Sequence, residues 1–265
     1  MTAVRLPRLN VTRMGRPGGS GGDTVVLVHG IAMDNLASYY FTVAPACAAA
    51  GHQVVMYDQR GHGRSERPAS GYRLEDFTGD LAALLDGLRT AGDVHLVGTS
   101  FGGTVALDYA LHHPGRLASV LVVESEPPTA AWAAKLGGIL ADAARRLRDE
   151  RALPWLAEHY GGHEARLGRR SCPLLHGTTA AEDIAASRIP DEDRWRTLDV
   201  PVLAVYGGAS DLAGTAPWLE SLLPDCRTVR VEGHGHSVLV EAPRTVAGIL
   251  VDWIGSGHRA GTAGV

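Results

Sequence analysis

Short apolar runs bounded by turn residues recur along the chain. Six of them are rich in β-branched residues: TVVLVHG from Thr24, HQVVMYD from His52, DVHLVG from Asp93, LASVLVVES from Leu117, VPVLAVYGG from Val200 and CRTVRVEG from Cys226. Short runs without alternating polar positions are typical of strands covered on both faces, as in a parallel sheet. Together with an N-terminal strand pair, they predict a mostly parallel central sheet of about eight strands.

Helical patterns lie between these runs. In RLEDFTGDLAALLDGL, apolar residues at three-to-four spacing form one stripe: Leu74, Phe77, Leu81, Leu84, Leu85 and Leu88. EAPRTVAGILVDWI has a similar stripe: Val246, Ile249, Leu250 and Trp253. Because strands alternating with amphipathic helices form βαβ units, we predict an α/β fold with a doubly wound sheet.

Two segments interrupt this alternation. PGGSGGD at 17–23 is typical of a loop or hairpin turn that joins the N-terminal strand pair to the first central strand. Residues 127–199 contain no strand-like run, which predicts a helical lid inserted over a binding crevice. We therefore expect an α/β core from 1–126 and 200–256, and a disordered tail over 257–265.

The stretch GTSFGG places a serine between closely spaced glycines. Gly98 ends a predicted strand, and the apolar stretch after Gly102 predicts a helix that stops before Pro114. Strand, tight turn and helix are the context in which G-x-S-x-G lifts its serine clear of the sheet. We predict Ser100 as a nucleophile, with the N–H of Phe101 and the helix N-terminus facing any anion that forms beside it.

A nucleophilic serine needs a base, and the sequence offers two histidines in VEGHGHSVLVEAP. His236 follows a glycine and precedes the C-terminal helical pattern, so its loop can bring it back over the sheet. We therefore predict His236 as the base and His234 as a loop residue.

The base in turn needs an orienting acid. Asp211 follows the strand that ends near Tyr206, and the carboxyl ends of parallel strands are where such folds keep their sites. The order serine, acid, histidine also favours Asp211. Glu124 and Glu126, which follow the strand in LASVLVVES, are the alternative acids.

The loop after the first central strand, HGIAMD, predicts a second oxyanion donor at the N–H of Ile31. His29 is interpreted as a structural residue of this loop, and so are His62 and Arg64 in DQRGHGRS. For substrate binding, we select apolar residues of the loop and of the predicted lid: Ala32, Met33, Trp132 and Trp155.

Composition narrows the classes of partner. The chain has 265 residues, 45% of them hydrophobic, and its net charge of −4 comes from interspersed acids and bases, which argues against nucleic acid. Cys47, Cys172 and Cys226 form no C-x-x-C pair, and no motif indicates a metal or another cofactor. Without a signal-like or membrane-length apolar run, we expect a cytoplasmic protein that contacts no membrane. Its oligomeric state stays open.

Five motifs, LVHG, DQRGHGRS, GTSFGG, YGGASD and GHGHS, occur in this order. Together they resemble the α/β-hydrolase fold superfamily, and within it the lid-bearing serine hydrolases, which include esterases, lactonases, haloperoxidase-like perhydrolases and carbon–carbon bond hydrolases. The resemblance runs from Thr24 to Trp253 except for residues 127–199. Ser100 stands where dehalogenases and epoxide hydrolases have aspartate, and HGIAMDN departs from the corresponding loops of proline iminopeptidases and many carbon–carbon hydrolases.

The resemblance implies a mechanism that needs no cofactor. Ser100 attacks a carbonyl while His236 takes its proton, Asp211 orients the imidazole, and the N–H groups of Phe101 and Ile31 hold the oxyanion. The main hypothesis is a carboxylesterase, lactonase or thioesterase that acts on an apolar small molecule. One alternative is a carbon–carbon bond hydrolase or a polyketide-type cyclase or release enzyme. The other is a ligand-binding protein with a vestigial triad.

Overall fold

A seven-stranded sheet forms the centre of the molecule. The computed structural model describes residues 7–15, 22–88, 90 and 92–257. Its strands are Asn10–Met14 (β1), Thr24–Val28 (β2), Gln53–Asp58 (β3), Val94–Thr99 (β4), Ser119–Val123 (β5), Val202–Gly207 (β6) and Cys226–Val231 (β7). They lie in the order β1-β3-β2-β4-β5-β6-β7, with β1 antiparallel to β3 and all other pairs parallel.

The predicted fold class is confirmed, and all six apolar runs form strands. The described residues contain seven strands rather than about eight, because the N-terminal segment contributes β1 alone there instead of a pair. The predicted turn at 17–23 falls outside the described residues except for its last two positions. The predicted tail at 257–265 likewise falls outside them except for its first residue.

Helices cover both faces of the sheet. Their bounds are Ala37–Tyr40 (α1), Ala44–Ala49 (α2), Leu74–Gly87 (α3), Phe101–His112 (α4), Ala130–Arg146 (α5), Ala152–Tyr160 (α6), Gly162–Gly177 (α7), Ala180–Ala185 (α8), Glu192–Trp195 (α9), Ala216–Leu222 (α10), Val238–Glu241 (α11) and Pro243–Gly255 (α12). One buried cluster packs α3, α4 and α10 on one face, and another packs α1, α2 and α12 on the other. The two-sided cover explains why the central strands contain no alternating polar positions.

Residues 127–199, the helical segment, contain α5 to α9 and lie between β5 and β6 in the chain. Within it α5 packs closely on α8, since a Cβ on Gly137 would lie 2.7 Å from the Cβ of Ala185. Asp183 of α8 accepts hydrogen bonds from the N–H groups of Gly71 (2.9 Å) and Tyr72 (3.0 Å), which precede α3. These contacts attach the helical segment to the core, and its role as a lid stays a prediction.

None of the helices in the described ranges combines the length and the apolar character needed to cross a membrane.

Candidate active site

The turn between β4 and α4 holds Ser100 in a strained conformation. Its φ of 52° and ψ of −123° lie in a region that residues other than glycine rarely adopt. The N–H of Ser100 donates to the carbonyl of Val123 at 2.9 Å, which fixes the turn to the end of β5. Strain of this kind persists only where the surrounding structure maintains it, and it is common at functional sites.

The glycines around Ser100 are required by close backbone contacts. A Cβ on Gly98 would lie 2.4 Å from the carbonyl oxygen of Gly102. A Cβ on Gly102 would lie 2.0 Å from the carbonyl oxygen of Val28. A Cβ on Gly103 would lie 2.5 Å from the side chain of Ser125. The turn is therefore packed between β2 and β5, and any larger residue would displace it.

Three side chains form a continuous hydrogen-bond path at this edge of the sheet. The Nε2 of His236 lies 3.3 Å from the Oγ of Ser100, and its Nδ1 lies 3.0 Å from the Oε2 of Glu124. The path joins a hydroxyl, an imidazole and a carboxylate in the order required for a serine nucleophile.

The acid in this path is Glu124, and the prediction of Asp211 in this position needs correction. Asp211 begins a 3₁₀ turn at Asp211–Thr215, is exposed, and accepts no hydrogen bond from any described residue through its carboxylate. Among the described residues, Glu126, the other alternative, accepts a hydrogen bond only at its carbonyl, from Thr104.

Glu124 is completely buried, with 0% of its side chain exposed. Its Oε1 accepts a hydrogen bond from the N–H of Gly207 at 2.5 Å, and its Oε2 accepts one from the hydroxyl of Ser210 in addition to His236. A buried carboxylate is costly unless donors surround it, and these three groups supply that compensation. Gly207 and Ser210 therefore position the carboxylate that faces His236.

The loop that carries His236 lies against the end of β6. A Cβ on Gly207 would lie 2.3 Å from the carbonyl oxygen of His234, and that carbonyl accepts a hydrogen bond from the N–H of Ala209 at 2.9 Å. His234 itself lies 3.4 Å from Glu241 and does not contact the hydrogen-bond path. The structure thus places His236, and not His234, beside Ser100.

Two backbone N–H groups at this site have no acceptor among the described residues. In the part of the chain that the structure describes, those of Ile31 and Phe101 donate to no other group. The loop of Ile31 lies beside the serine, since a Cβ on Gly30 would be 3.6 Å from that of Ser100. The N–H of Gly30 is used differently, as a donor to Asp34 at 2.7 Å. Both groups can donate to an anion beside Ser100, and their role as oxyanion donors stays a prediction.

Buried histidines hold the loop of Ile31 in place. The Nε2 of His62 accepts a hydrogen bond from the N–H of Ala32 at 2.8 Å, and its Nδ1 donates to the carbonyl of Arg60 at 2.8 Å. The Nε2 of His29 accepts one from the N–H of Gln59 at 2.9 Å. Burial, and then the neighbouring His29, lower the pKa of His62 to about 3. Both rings connect the loops after β2 and β3, and the ring of His62 does so in its neutral form.

Ser100 and His236 open into a cavity of about 450 Å³, the first cavity. Trp132 of α5 lines it and stacks on Phe101, with the ring centroids 6.1 Å apart and the planes inclined by 10°. Glu126 and Lys135 add charge to the wall, and burial raises the pKa of Glu126, although Lys135 opposes that shift. Of the predicted substrate-binding residues, only Trp132 lines this cavity.

The other three residues that we predict for substrate binding line a second cavity of about 800 Å³. Ala32 and Met33 form part of its wall on the side of the core, and Trp155 forms part of it on the side of the helical segment. The walls of the two cavities meet at α5, where Leu136 and Ile139 line both. Neither Ser100 nor His236 lines the second cavity.

Comparison with known proteins assigns the family. A family model described as the alpha/beta hydrolase fold matches residues 23–243. The chain belongs to the α/β-hydrolase fold family. Among curated relatives, this α/β hydrolase is similar to a non-heme chloroperoxidase from Streptomyces lividans, with 28% identity over 78% of this chain and 83% of the relative. It is also similar to a pimeloyl-[acyl-carrier protein] methyl ester esterase from Aeromonas hydrophila subsp. hydrophila, with 28% identity over 88% and 96%.

Solved structures have the same fold at lower identity. An esterase from Exiguobacterium antarcticum superposes with a TM-score of 0.74 at 18% identity, covering 94% of this chain and 96% of that one. These similarities support hydrolase activity for this α/β hydrolase. The activities named for the relatives differ, so the family alone assigns no substrate.

Sequence reasoning did not identify the residues that support the acid of this α/β hydrolase. Gly207 and Ser210 contact Glu124 across more than 80 positions of sequence, and only the pairing of β5 with β6 brings them together. One signal is present in the sequence, since Glu124 directly follows a fully buried strand and a carboxylate there needs donors.

No metal or disulfide accompanies this site in the residues described. They contain no group of three histidine, cysteine, aspartate or glutamate side chains that could hold a metal ion. Cys47, Cys172 and Cys226 are free thiols.

Proposed function

We propose that this protein is a serine hydrolase that cleaves a carboxylic ester, lactone or thioester of an apolar small molecule through an acyl-enzyme on Ser100. The observation that carries the proposal is the hydrogen-bond path from Ser100 through His236 to the buried Glu124. A serine hydroxyl is a weak nucleophile alone, and a base held by a carboxylate activates it.

In the acylation step, the Nε2 of His236 takes the proton of the Ser100 hydroxyl as the Oγ attacks the carbonyl carbon. The N–H groups of Ile31 and Phe101 then donate to the oxyanion, and each such donor contributes about 3 kcal/mol in comparable sites. Glu124 accepts from Nδ1–H throughout and stabilises the imidazolium. The imidazolium returns its proton to the leaving alkoxide or thiolate, which departs and leaves the acyl-enzyme.

Deacylation repeats these steps with water as the nucleophile. His236 takes a proton from water, the hydroxide attacks the acyl carbon, and the intermediate breaks down to release the acid and restore the Ser100 hydroxyl. The similarity to a methyl ester esterase among the curated relatives supports ester cleavage as the reaction. The apolar wall of the first cavity, formed in part by Phe101, Trp132 and Leu136, supports an apolar substrate.

A fluorophosphonate probe tests the proposal directly, because it reacts with activated serines. The purified protein and the variants Ser100→Ala and Ser125→Ala are treated with the probe, and their intact masses are measured. Ser125 also lines the first cavity, but its hydroxyl contacts Thr104 rather than a histidine, so it is a matched control. We expect one adduct on the wild type and on Ser125→Ala, and none on Ser100→Ala.

Hydrolysis of p-nitrophenyl acetate is measured beside the labelling, and we expect it to be lost in Ser100→Ala alone. A wild type that neither reacts with the probe nor hydrolyses the ester would overturn the proposal. An adduct that persists on Ser100→Ala would overturn it as well, since the activated nucleophile would be another residue.

A further inference from the structure

The second cavity is the larger of the two, and its wall is mostly apolar. The residues from α5 and the stretch after it include Leu136, Ile139, Leu140, Ala143 and Leu147, and those from α6 and α7 include Leu156 and Leu175. Each cavity falls in the range of roughly 300–1,000 Å³ that holds one drug-sized ligand. A substrate that occupies both is therefore larger than a simple short-chain ester.

Helix α5 lies along both cavities. The residues of α5 that line the cavities recur at helical spacing. Trp132 lines the first cavity, Leu136 and Ile139 line both, and Ala143 lines the second. At 1.5 Å per residue, the stretch from Trp132 to Leu147 extends about 20 Å. An extended chain whose carbonyl lies at Ser100 can therefore follow α5 from the first cavity into the second.

The loop of the oxyanion donor also connects the two cavities. Ile31, whose N–H donates to no other described residue, lines the second cavity together with Ala32 and Met33. A group leaving the carbonyl on that side therefore passes directly from the donor into the second cavity. The second cavity is thus an extension of the site and not a separate pocket.

Large apolar side chains at this cavity are unusually exposed. Met33 and Trp155 are each 48% exposed and Ile139 is 53% exposed, and all three line the second cavity. Isolated exposed apolar residues are ordinary, but three around one concave surface indicate a place that an apolar ligand covers.

The charged residues at the edge of the cavity are paired with one another. Arg146 lies 2.6 Å from Asp142, Arg151 lies 2.8 Å from Asp149, and Arg145 also contacts Asp142. Asp142 is shared by two arginines, so these groups keep one net positive charge, but the side chains of Arg145 and Arg146 are 77% and 76% exposed and water screens that charge. The ligand chemistry that fits is a plain hydrocarbon chain.

We propose that the second cavity binds a long apolar chain of the substrate while the ester carbonyl lies at Ser100 in the first cavity. The proposal rests on the proposed esterase function and adds the substrate class, a long-chain ester. The chain belongs either to the acyl group or to the alcohol, and both have the same hydrocarbon chemistry. Each methylene group of the chain that enters the cavity should raise kcat/KM by at most about fourfold. This factor corresponds to the free energy gained by burying one methylene group.

The test compares chain-length preference in two matched variants. Ala143 lines the second cavity, whereas Ala141 is exposed on the same helix, so Ala143→Phe fills the cavity and Ala141→Phe adds the same group to solvent. The kcat/KM values for p-nitrophenyl acetate and p-nitrophenyl dodecanoate are measured below the micelle concentration of the longer ester.

We expect the wild type and Ala141→Phe to prefer the dodecanoate to the same extent, and Ala143→Phe to lose at least tenfold of that preference. Ala152→Phe, which enters the same cavity from α6, is the second variant in case the first does not fold. The proposal would be overturned by a folded cavity variant that keeps the wild-type preference for both p-nitrophenyl dodecanoate and dodecyl acetate. It would also be overturned by a wild type that prefers p-nitrophenyl acetate to the dodecanoate and methyl acetate to dodecyl acetate.

Methyl dodecanoate and dodecyl acetate then assign the chain to the acyl or the alcohol side, since only the ester with its chain in the cavity responds to Ala143→Phe. The two proposals fail differently. Absence of labelling and of acetate hydrolysis overturns the esterase function. Acetate hydrolysis without a long-chain preference overturns only the assignment of the second cavity.

Discussion

At the scale of single residues, the carboxylate facing His236 differs from its predicted counterpart in its surroundings. Glu124 is buried and receives three hydrogen bonds, while Asp211 is exposed and receives none from the described residues. Water screens an exposed charge, whereas a buried and fixed carboxylate holds an imidazole in one tautomer. The positive φ of Glu124, 54°, is a further sign that the fold maintains a strained residue there.

This difference predicts unequal effects of neutralising the two acids. Glu124→Gln should lower kcat for p-nitrophenyl acetate by up to about 10⁴-fold, as loss of the triad carboxylate does elsewhere, because the amide favours the wrong tautomer of His236. Asp211→Asn should have a far smaller effect. Steady-state kinetics and the rate of fluorophosphonate labelling measure both, and Tm values check that the variants fold. An equal loss of activity in Asp211→Asn would contradict the assignment of Glu124.

The sequence predicts part of this site, for a geometric reason. Ser100 and His236 lie 3.3 Å apart, and their positions follow from local features, a glycine-bounded turn and a loop after the last strand. The acid does not follow from such features. Strands β5 and β6 are neighbours and parallel, so acids after either one reach the same edge of the sheet. Only the side-chain contacts of the folded protein distinguish Glu124 from Asp211.

At the scale of elements, the loops after β2 and β3 are joined through His62. Its ring uses both nitrogens, accepting from Ala32 and donating to Arg60, and this is possible only for the neutral form. A proton on Nε2 would face the N–H of Ala32. Burial and the neighbouring His29 therefore lower the pKa of His62 to about 3 in the folded protein, from an ordinary value of 6.5.

The lowered pKa predicts that His62 makes stability depend on pH. Above pH 6.5 the ring is neutral in both states; as pH falls from 6.5 to 3, only the unfolded chain takes up the proton, and stability is lost. Between pH 7.5 and pH 5, the contribution of His62 should lower the free energy of unfolding by about 2 kcal/mol. Urea unfolding of the wild type and His62→Gln at both pH values measures it.

The variant should be less stable at pH 7.5 but should lose less stability on acidification than the wild type. Parallel pH dependences in the two proteins would mean that His62 takes up its proton in the folded state as well. That outcome would contradict its role as a neutral connector of the oxyanion loop.

At the scale of the whole molecule, the sequence predicts the core better than the helical segment. Buried parallel strands produce continuous apolar runs and one-sided helices produce a pattern of period 3.6, and both signals are local in sequence. The described residues include only β1 of the expected N-terminal strand pair. The packing of α5 to α9 depends instead on distant contacts, such as Gly137 against Ala185 and Asp183 against the loop before α3, which no local pattern contains.

The contact of Asp183 predicts how the helical segment is held to the core. Its carboxylate accepts from the N–H groups of Gly71 and Tyr72, so Asp183→Ala removes both bonds and leaves two N–H groups unpaired, whereas Glu182→Ala on the same helix changes only an exposed side chain. Hydrogen–deuterium exchange followed by mass spectrometry should therefore show faster exchange in α5 and α8 of Asp183→Ala alone, with β4 and β5 unchanged. Equal exchange in both variants would mean that apolar packing, such as that of Gly137 on Ala185, holds the segment without this bond. Faster exchange that extended to β4 and β5 would mean that the segment and the sheet open together.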